Sequence, residues 1–413
     1  MKAVLINSYS DFNKGDLGIL EGTIHSLKEA NKSIEIYSVS SFNYNDPFFV
    51  SHHSELRKSV IEVYPAIIGR LFHKNNNSLV MAFKLFLDLF KMFFIYFGPF
   101  YLFRKLIFNQ SEIETLKLIK NSDVVISKGG SFICNDRGLK GFFRFTREMS
   151  ILIIAIRLNK KLAIWGQSIG PVYGRLSLKL VNHILRKASK VVIREKNCVK
   201  NFPDIVFPTT VIQGYDLAFS LPTDALNPSI LQQKKTVGIT VKRFSSKKVD
   251  DLYSKIIVQA IEFIITTLNK RVVILPHVTI DDDVSKAFEI YSKLPDKLKS
   301  DISVFTNDYT PTELLEMYND LEFLIGTRLH STIFSMVVNT KVINIAYHGT
   351  KASGVFERFN MDNYVIEGNS LTFDALKDRI LMLEARSIED FKFVENVTAA
   401  KRINIEIAKQ ILS

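Results

Sequence analysis

Leu321-Glu322-Phe323-Leu324-Ile325-Gly326-Thr327-Arg328-Leu329-His330-Ser331-Thr332-Ile333 decides how the rest of the chain is read. The apolar run 321–325 has the length and character of a buried strand, and Gly326 ends it. Thr327 suits a helix N-cap, and Ile333, Phe334, Val337 and Val338 continue at helical spacing. Arg328 and His330 are then expected in the first turn of a helix, just past the carboxyl end of a strand. Free backbone N–H groups and the helix dipole favour negative charge there, and open α/β sheets bind ligands at this edge. An arginine, an imidazole and a helix N-terminus together suit an anionic substrate that must receive a proton. An ordinary solvated turn would carry the same residues, so the remaining sequence has to decide.

Working outward, the same strand–turn–helix unit recurs. In the second half, strand 237–241 ends at Lys242-Arg243 and strand 271–275 at Pro276-His277. The acids Asp281, Asp282 and Asp283 fit a helix start as well as a metal site. Thr310-Pro311-Thr312-Glu313 is a helix entry with a capping box. Strand 341–346 leads to a polar loop, 347–354, carrying Lys351. In the first half, strand 3–6 precedes a polar loop, 9–18, with Asn13, Gly15 and Asp16, and a helix, 19–27. Residues 41–78 read as irregular, with a turn at 75–77. Strand 123–127 ends in Lys128-Gly129-Gly130-Ser131, where paired glycines would let backbone N–H groups approach a ligand. Strand 162–165 leads into a loop, Gly166-Gln167-Ser168-Ile169-Gly170-Pro171. Strand 190–193 ends at Arg194, which repeats the placement of Arg328 and offers a bidentate fork for carboxylate or phosphate.

Alternating strands and helices in both halves predict an α/β protein: two doubly wound (Rossmann-like) domains facing across a cleft. The expected boundaries are an N-terminal domain at 1–221, a linker at 222–236, a C-terminal domain at 237–387, and a helix at 388–413 that packs back on the first domain.

The 413 residues carry a formal net charge of +12, 47% hydrophobic and 23% charged residues, so the chain is globular and suited to anionic partners. Basic residues are scattered rather than gathered in a stripe with aromatics, so nucleic-acid binding is not expected. Two cysteines, Cys134 and Cys198, form no disulfide framework, and no Cys/His spacing suggests a metal. With no signal peptide at residues 1–8, this fits a cytoplasmic location. Residues 92–103 are aromatic, uncharged and flanked by cations, and too short to span a bilayer. They fit either a helix kinked at Gly98-Pro99 and lying on a membrane or a lid packed on the domain's own core. No G-x-G-x-x-G or P-loop is present.

Taken together, Asn13-x-Gly15-Asp16, Gly129-Gly130-Ser131 with Asp136, Gly166 to Pro171, Arg194-Glu195, Asp216, Pro276-His277, Gly326 to Ser331 and Lys351-x-x-Gly354 resemble the polysaccharide pyruvyl transferase family. The resemblance implies a fold similar to B-type glycosyltransferases, with the first domain on the acceptor side and the second on the donor side. It implies transfer of a carboxyethylidene group from phosphoenolpyruvate to a sugar of a surface polysaccharide or its lipid-linked precursor. Arg194 and Arg328 would hold the donor's carboxylate and phosphate, and His330 would protonate its methylene carbon. Asn13, Gly15, Asp16, Gly129, Gly130, Ser131, Gln167, Ser168, Lys242, His277 and Lys351 would bind substrate, with no cofactor beyond the donor. The family's glycine-rich loop often has a third glycine where this chain has Lys128. The aromatic insertion at 79–108 matches no family motif; it would either meet the inner face of the membrane or a lipid-linked acceptor, or only pack on its own domain. A B-type glycosyltransferase using a nucleotide sugar, with Glu357 on the ribose, is the main rival. A non-catalytic polysaccharide-binding protein is a second.

Overall fold

Continuous apolar runs form parallel strands buried on both faces, as parallel sheets require. Ala3, Val4, Leu5 and Ile6 are all buried, as are their neighbours Val124, Val125 and Ile126. The computed structural model describes residues 1–69, 78–224, 226–227, 236–347 and 351–413. The expected turn at 75–77 and residues 225 and 228–235 of the expected linker lie outside the described residues, as do the side chains of 78–82 and of Lys351.

The chain divides into two compact units. One comprises Met1–Asp11, Ile19–Asp216 and Ile403–Ser413; the other comprises Phe12–Gly18 and Leu217–Arg402. The first holds β1 (Lys2–Ser8), β2 (Glu35–Ser40), β3 (Val63–Tyr64), β4 (Val124–Ser127), β5 (Gly130–Ile133), β6 (Lys161–Ile169), β7 (Lys190–Ile193) and β8 (Ile212–Gln213). Their order is β3-β2-β1-β4-β6-β7-β8, and β5 pairs with β6. The second holds β9 (Thr236–Thr240), β10 (Arg271–Leu275), β11 (Ile302–Val304), β12 (Phe323–Gly326), β13 (Lys341–Ala346) and β14 (Val365–Glu367), ordered β11-β10-β9-β12-β13-β14. Both sheets are parallel, and both reverse direction beside their first strand. In such sheets the ligand crevice opens at the carboxyl ends of the two strands flanking the reversal. In the second unit those are β9 and β12.

Several local expectations change. Residues 9–18 are not a loop throughout, because a helix starts at Lys14 and runs to Ala30. Asn13 caps it: its Oδ1 accepts from the Asp16 amide at 3.2 Å, and its Nδ2 donates to the Asp16 carboxylate at 2.9 Å. Residues 12–14 lie antiparallel to 277–279, with Lys14 N–H donating to the His277 carbonyl and Thr279 N–H to that of Phe12. Residues 12–18 therefore belong to the second unit, although chain order places them in the first. Residues 41–69 are not irregular throughout: they supply two short helices, Pro47–Ser51 and Leu56–Ser59, and the edge strand β3. The strand expected to stop at Trp165 runs on to Ile169, because Gly166 takes φ 72° and absorbs a register shift. The capping box expected at Thr310 is present, with Glu313 as its partner. The C-terminal helix is Phe393–Leu412, and its last turns belong to the first unit, where Asn404 Oδ1 accepts from the Tyr215 amide.

Candidate active site

In the first unit Arg194 follows β7 and is a hub. Its Nε donates to Ser168 Oγ at 2.7 Å, Nη1 to Asp216 at 2.5 Å and Nη2 to Ser131 Oγ at 3.0 Å. Glu195 lies 3.2 Å from Nε. Burial works against the guanidinium's charge, but Asp216 and Glu195 more than offset it and raise its pKa above the usual value. Four pieces of sequence that looked separate are thus one hydrogen-bonded network joining β5, β6, β7 and the segment after β8. Gly129 and Gly130 are buried. Gly130, at φ 134°, enters the ladder opposite Gln167 rather than leaving an open turn, and Gln167 donates to the Lys128 carbonyl.

In the second unit Arg328 is the N-cap of the helix Leu329–Val337, which makes His330 its second residue. Thr327, expected to cap, lies one residue before the cap, and its hydroxyl is bonded to the Tyr253 hydroxyl at 2.8 Å. Arg328 is buried, and its fork is spent inside the chain. Nη2 and Nε take Asp283 at 2.6 and 3.2 Å, and Nη1 takes Asp281 at 3.0 Å. Burial pushes the Asp283 carboxyl above its usual range, and Arg328 pulls against that. Asp282 faces Arg243 instead, at 3.4 Å. The three acids therefore serve arginines. Both arginines expected to grip an anion are, in this structure, neutralised by two carboxylates each.

Lys242 differs. It follows β9, the strand beside β12, and among the described residues no carboxylate lies within ion-pairing distance of its Nζ. It sits over the Tyr347 ring at 4.7 Å. Burial, then Arg328, lowers its pKa, with Asp281 and Asp283 opposing. His277, after β10, is buried; its Nδ1 lies 3.2 Å from the Tyr318 hydroxyl, and its ring stands edge-on to Phe334. Burial, with His330, Arg328 and Lys14 nearby, holds its pKa well below the usual value, so it is neutral. Its Nε2 has no hydrogen-bond partner among the described residues.

The half-buried His330 rests on the first turn of the helix Lys14–Ala30. A Cβ at Gly15 would lie 2.2 Å from its Nδ1, and one at Gly18 would lie 2.5 Å from the Phe334 ring. Gly15 and Gly18 are thus a seat for His330 and Phe334, one helical turn apart on each side. Sequence reading overlooked Lys14, whose buried Nζ pairs with Asp308 at 2.6 Å. Its place inside Asn13-x-Gly15 was the available signal. Lys351 begins the helix Lys351–Glu357, while its side chain lies outside the described residues; Glu357, at the end of that helix, is exposed.

A model of the polysaccharide pyruvyl transferase family matches residues 13–349, most of the chain. The chain belongs to that family. This member is also similar to the amylovoran biosynthesis protein AmsJ of Erwinia amylovora, with 24% identity over 392 residues, 90% of this chain and 89% of that one. Among solved structures, a glycosyltransferase from Rickettsia africae superposes with a TM-score of 0.54 at 14% identity, covering 100% of this chain and 99% of its own. The UDP-GlcNAc 2-epimerase of Methanocaldococcus jannaschii does so with 0.54 at 12% identity, over 94% of each chain. These likenesses show the fold, which is that of B-type glycosyltransferases. This pyruvyl transferase family member is accordingly a transferase with two parallel α/β sheets. Among its described residues no helix is long and apolar enough to cross a membrane.

Proposed function

We propose that the protein transfers a carboxyethylidene group from phosphoenolpyruvate to a sugar of a surface polysaccharide or its lipid-linked precursor. His330 gives a proton to the methylene carbon of the enol, and the carbon bearing phosphate becomes electron-poor. One sugar hydroxyl adds there, its proton returning to His330. The C–O bond to phosphate then breaks, the phosphate leaving with the electron pair. A second hydroxyl of the sugar adds, releases its proton and closes the ketal. The enol phosphate carries its own leaving group, so no further cofactor enters.

The observation that carries this reading is the pairing of roles at the strands flanking the reversal of the second sheet. β9 leads to an ammonium, Lys242, that no carboxylate of the described residues pairs with at ion-pair distance, and β12 leads to a helix N-terminus with an imidazole, His330. A doubly acidic enol phosphate needs both. Arg328 and Arg194, with their forks occupied, act as positioning residues: the first holds the turn that carries His330, the second holds Ser131, Ser168 and Asp216 together. Asn13 and Asp16 start the helix whose Gly15 receives His330. Phosphoenolpyruvate is a product of cytoplasmic metabolism, so the reaction belongs on that side. The segment 79–108 brings the protein to the membrane where lipid-linked acceptors reside.

The test is phosphate release from phosphoenolpyruvate in the presence of a glycan acceptor. His330→Gln should lower kcat at least about 100-fold, the range in which positioned acids contribute. Consumption of a nucleotide sugar, with phosphoenolpyruvate untouched, would replace this reading with the glycosyltransferase one.

A further inference from the structure

Residues 78–108 contain a single acid, Asp88, and it points inward. The helix Ser78–Tyr96 is amphipathic with its faces reversed. Phe83, Phe86, Phe90, Phe93 and then Phe97 recur at three- and four-residue spacing, and all are exposed, Phe97 to 78%. Asp88, Lys91 and Ile95 turn toward the unit's interior, where Lys91 pairs with Glu112 at 2.6 Å. The helix is not a loose flap. Tyr96 hydroxyl donates to the Thr146 carbonyl at 2.6 Å, and Arg157 donates to the carbonyls of Phe94 and Ile95. A groove of about 350 Å³ runs beside it, lined by Phe93, Phe97, Phe142, Phe143, Leu176 and Leu180. It thus includes the starts of two further helices, Gly138–Arg157 and Arg175–Lys187.

Charge chooses the occupant. The exposed charges on these segments, among them Lys84, Lys105, Lys140, Arg175 and Lys179, are all cations; Arg144, one of them, pairs with the exposed Asp136 at 3.2 Å. Neither 78–108 nor 171–187 offers an exposed acid. A protein partner helix would need only the apolar groove. A phenylalanine face bordered by cations matches an anionic bilayer, with rings at the acyl boundary and ammonium groups at the phosphates. An exposed apolar face of this extent otherwise marks an interaction or aggregation site.

We propose that this three-helix face docks the protein on an anionic membrane surface, with one lipid chain entering the groove. The proposal rests on the membrane contact suggested above and not on the chemistry, so vesicle binding is measured without phosphoenolpyruvate. The full chain is floated with vesicles of phosphatidylcholine and phosphatidylglycerol at 3:1, and with phosphatidylcholine alone. The mixed vesicles should bind at least about fivefold more protein, and that advantage should shrink as salt is raised. Phe86→Ser/Phe93→Ser/Phe97→Ser should weaken partitioning at least about tenfold while circular dichroism and the melting midpoint stay unchanged, since all three rings are exposed. Lys84→Glu/Lys105→Glu/Lys140→Glu should abolish the preference for the anionic vesicles. Absence of binding, or binding equal in the wild type and the serine variant, overturns the proposal. Light scattering that finds a dimer broken by the serine variant, with no vesicle binding, assigns the face to self-association instead. Phosphate release on a water-soluble acceptor should be the same for both variants, which separates failure of docking from failure of the reaction.

Discussion

Gly15 shows what a short motif is for. Asn13-x-Gly15-Asp16 looked like a polar loop shaped for a ligand, but its parts have mechanical duties. Asn13 and Asp16 cap a helix, and Gly15 leaves room for the imidazole of His330. The arginines tell a similar story. Arg194 and Arg328 were legible as guanidinium groups at strand ends, but their burial and their partners Asp216 and Asp283, which lie 22 and 45 residues away along the chain, are beyond what local spacing can reveal. A residue list therefore places side chains at strand ends without saying which of them touch. Glycine to alanine within a helix ordinarily adds up to about 1 kcal/mol of stability. Gly15→Ala should reverse that sign, because the His330 Cβ, 2.9 Å from the new methyl, cannot swing away as a ring edge could. The expected result is a loss of about 1–3 kcal/mol, typical of overpacking, seen as a lower melting midpoint, with phosphate release falling alongside. A raised midpoint with full activity would mean that His330 does not occupy this seat.

At the scale of elements, the strands were readable because parallel sheets demand apolar runs and helices bracket each one. The extra strand β5 and the continuation of β6 through Gly166 were not readable, since each depends on a pairing partner far away in sequence, whereas the helix at Lys14 was signalled locally by its Asn13–Asp16 cap and was missed. The helix Ser78–Tyr96 is the most instructive case. Its periodicity names an apolar face but cannot say that this face points outward, because that is decided by Lys91, Tyr96 and Arg157 binding the interior. Turning Asp88 inward has a cost. Burial pushes its carboxyl up to about 6, with Lys91 and Arg147 pulling it down. A folded-state value above the unfolded one means that the native protein holds the proton more tightly. The stabilisation is present in full below about 4, the usual carboxyl range, and is lost as pH rises through about 6, for a penalty of up to about 3 kcal/mol above that. Asp88→Asn should therefore raise the melting midpoint at pH 8 and leave it nearly unchanged at pH 4. Equal shifts at the two values would show that Asp88 ionises as it does in water.

For the whole molecule, fold and function separate. The same architecture serves a glycosyltransferase and a UDP-GlcNAc 2-epimerase, so the two parallel sheets with their reversals do not choose a donor. On the proposed reading, the choice falls to the few groups at the carboxyl ends of β9, β10 and β12. A nucleotide sugar presents a ribose and base as well as phosphates. Phosphoenolpyruvate presents only two acidic groups and a polarisable double bond, which an ammonium and an imidazole can serve. Ligand-linked stabilisation reads this choice without needing the acceptor. A ligand at 100 times its Kd stabilises the state that binds it by about 2.7 kcal/mol. Phosphoenolpyruvate should raise the melting midpoint in a saturable way, and UDP-sugars at the same concentration should not. His330→Gln should keep most of the rise, because a proton donor to carbon is needed for turnover more than for binding. Lys242→Ala should lose it, because that ammonium answers the donor's charge. If instead UDP-sugars stabilise the protein and Lys242→Ala is silent, the donor is a nucleotide sugar and the enol chemistry does not occur in this protein.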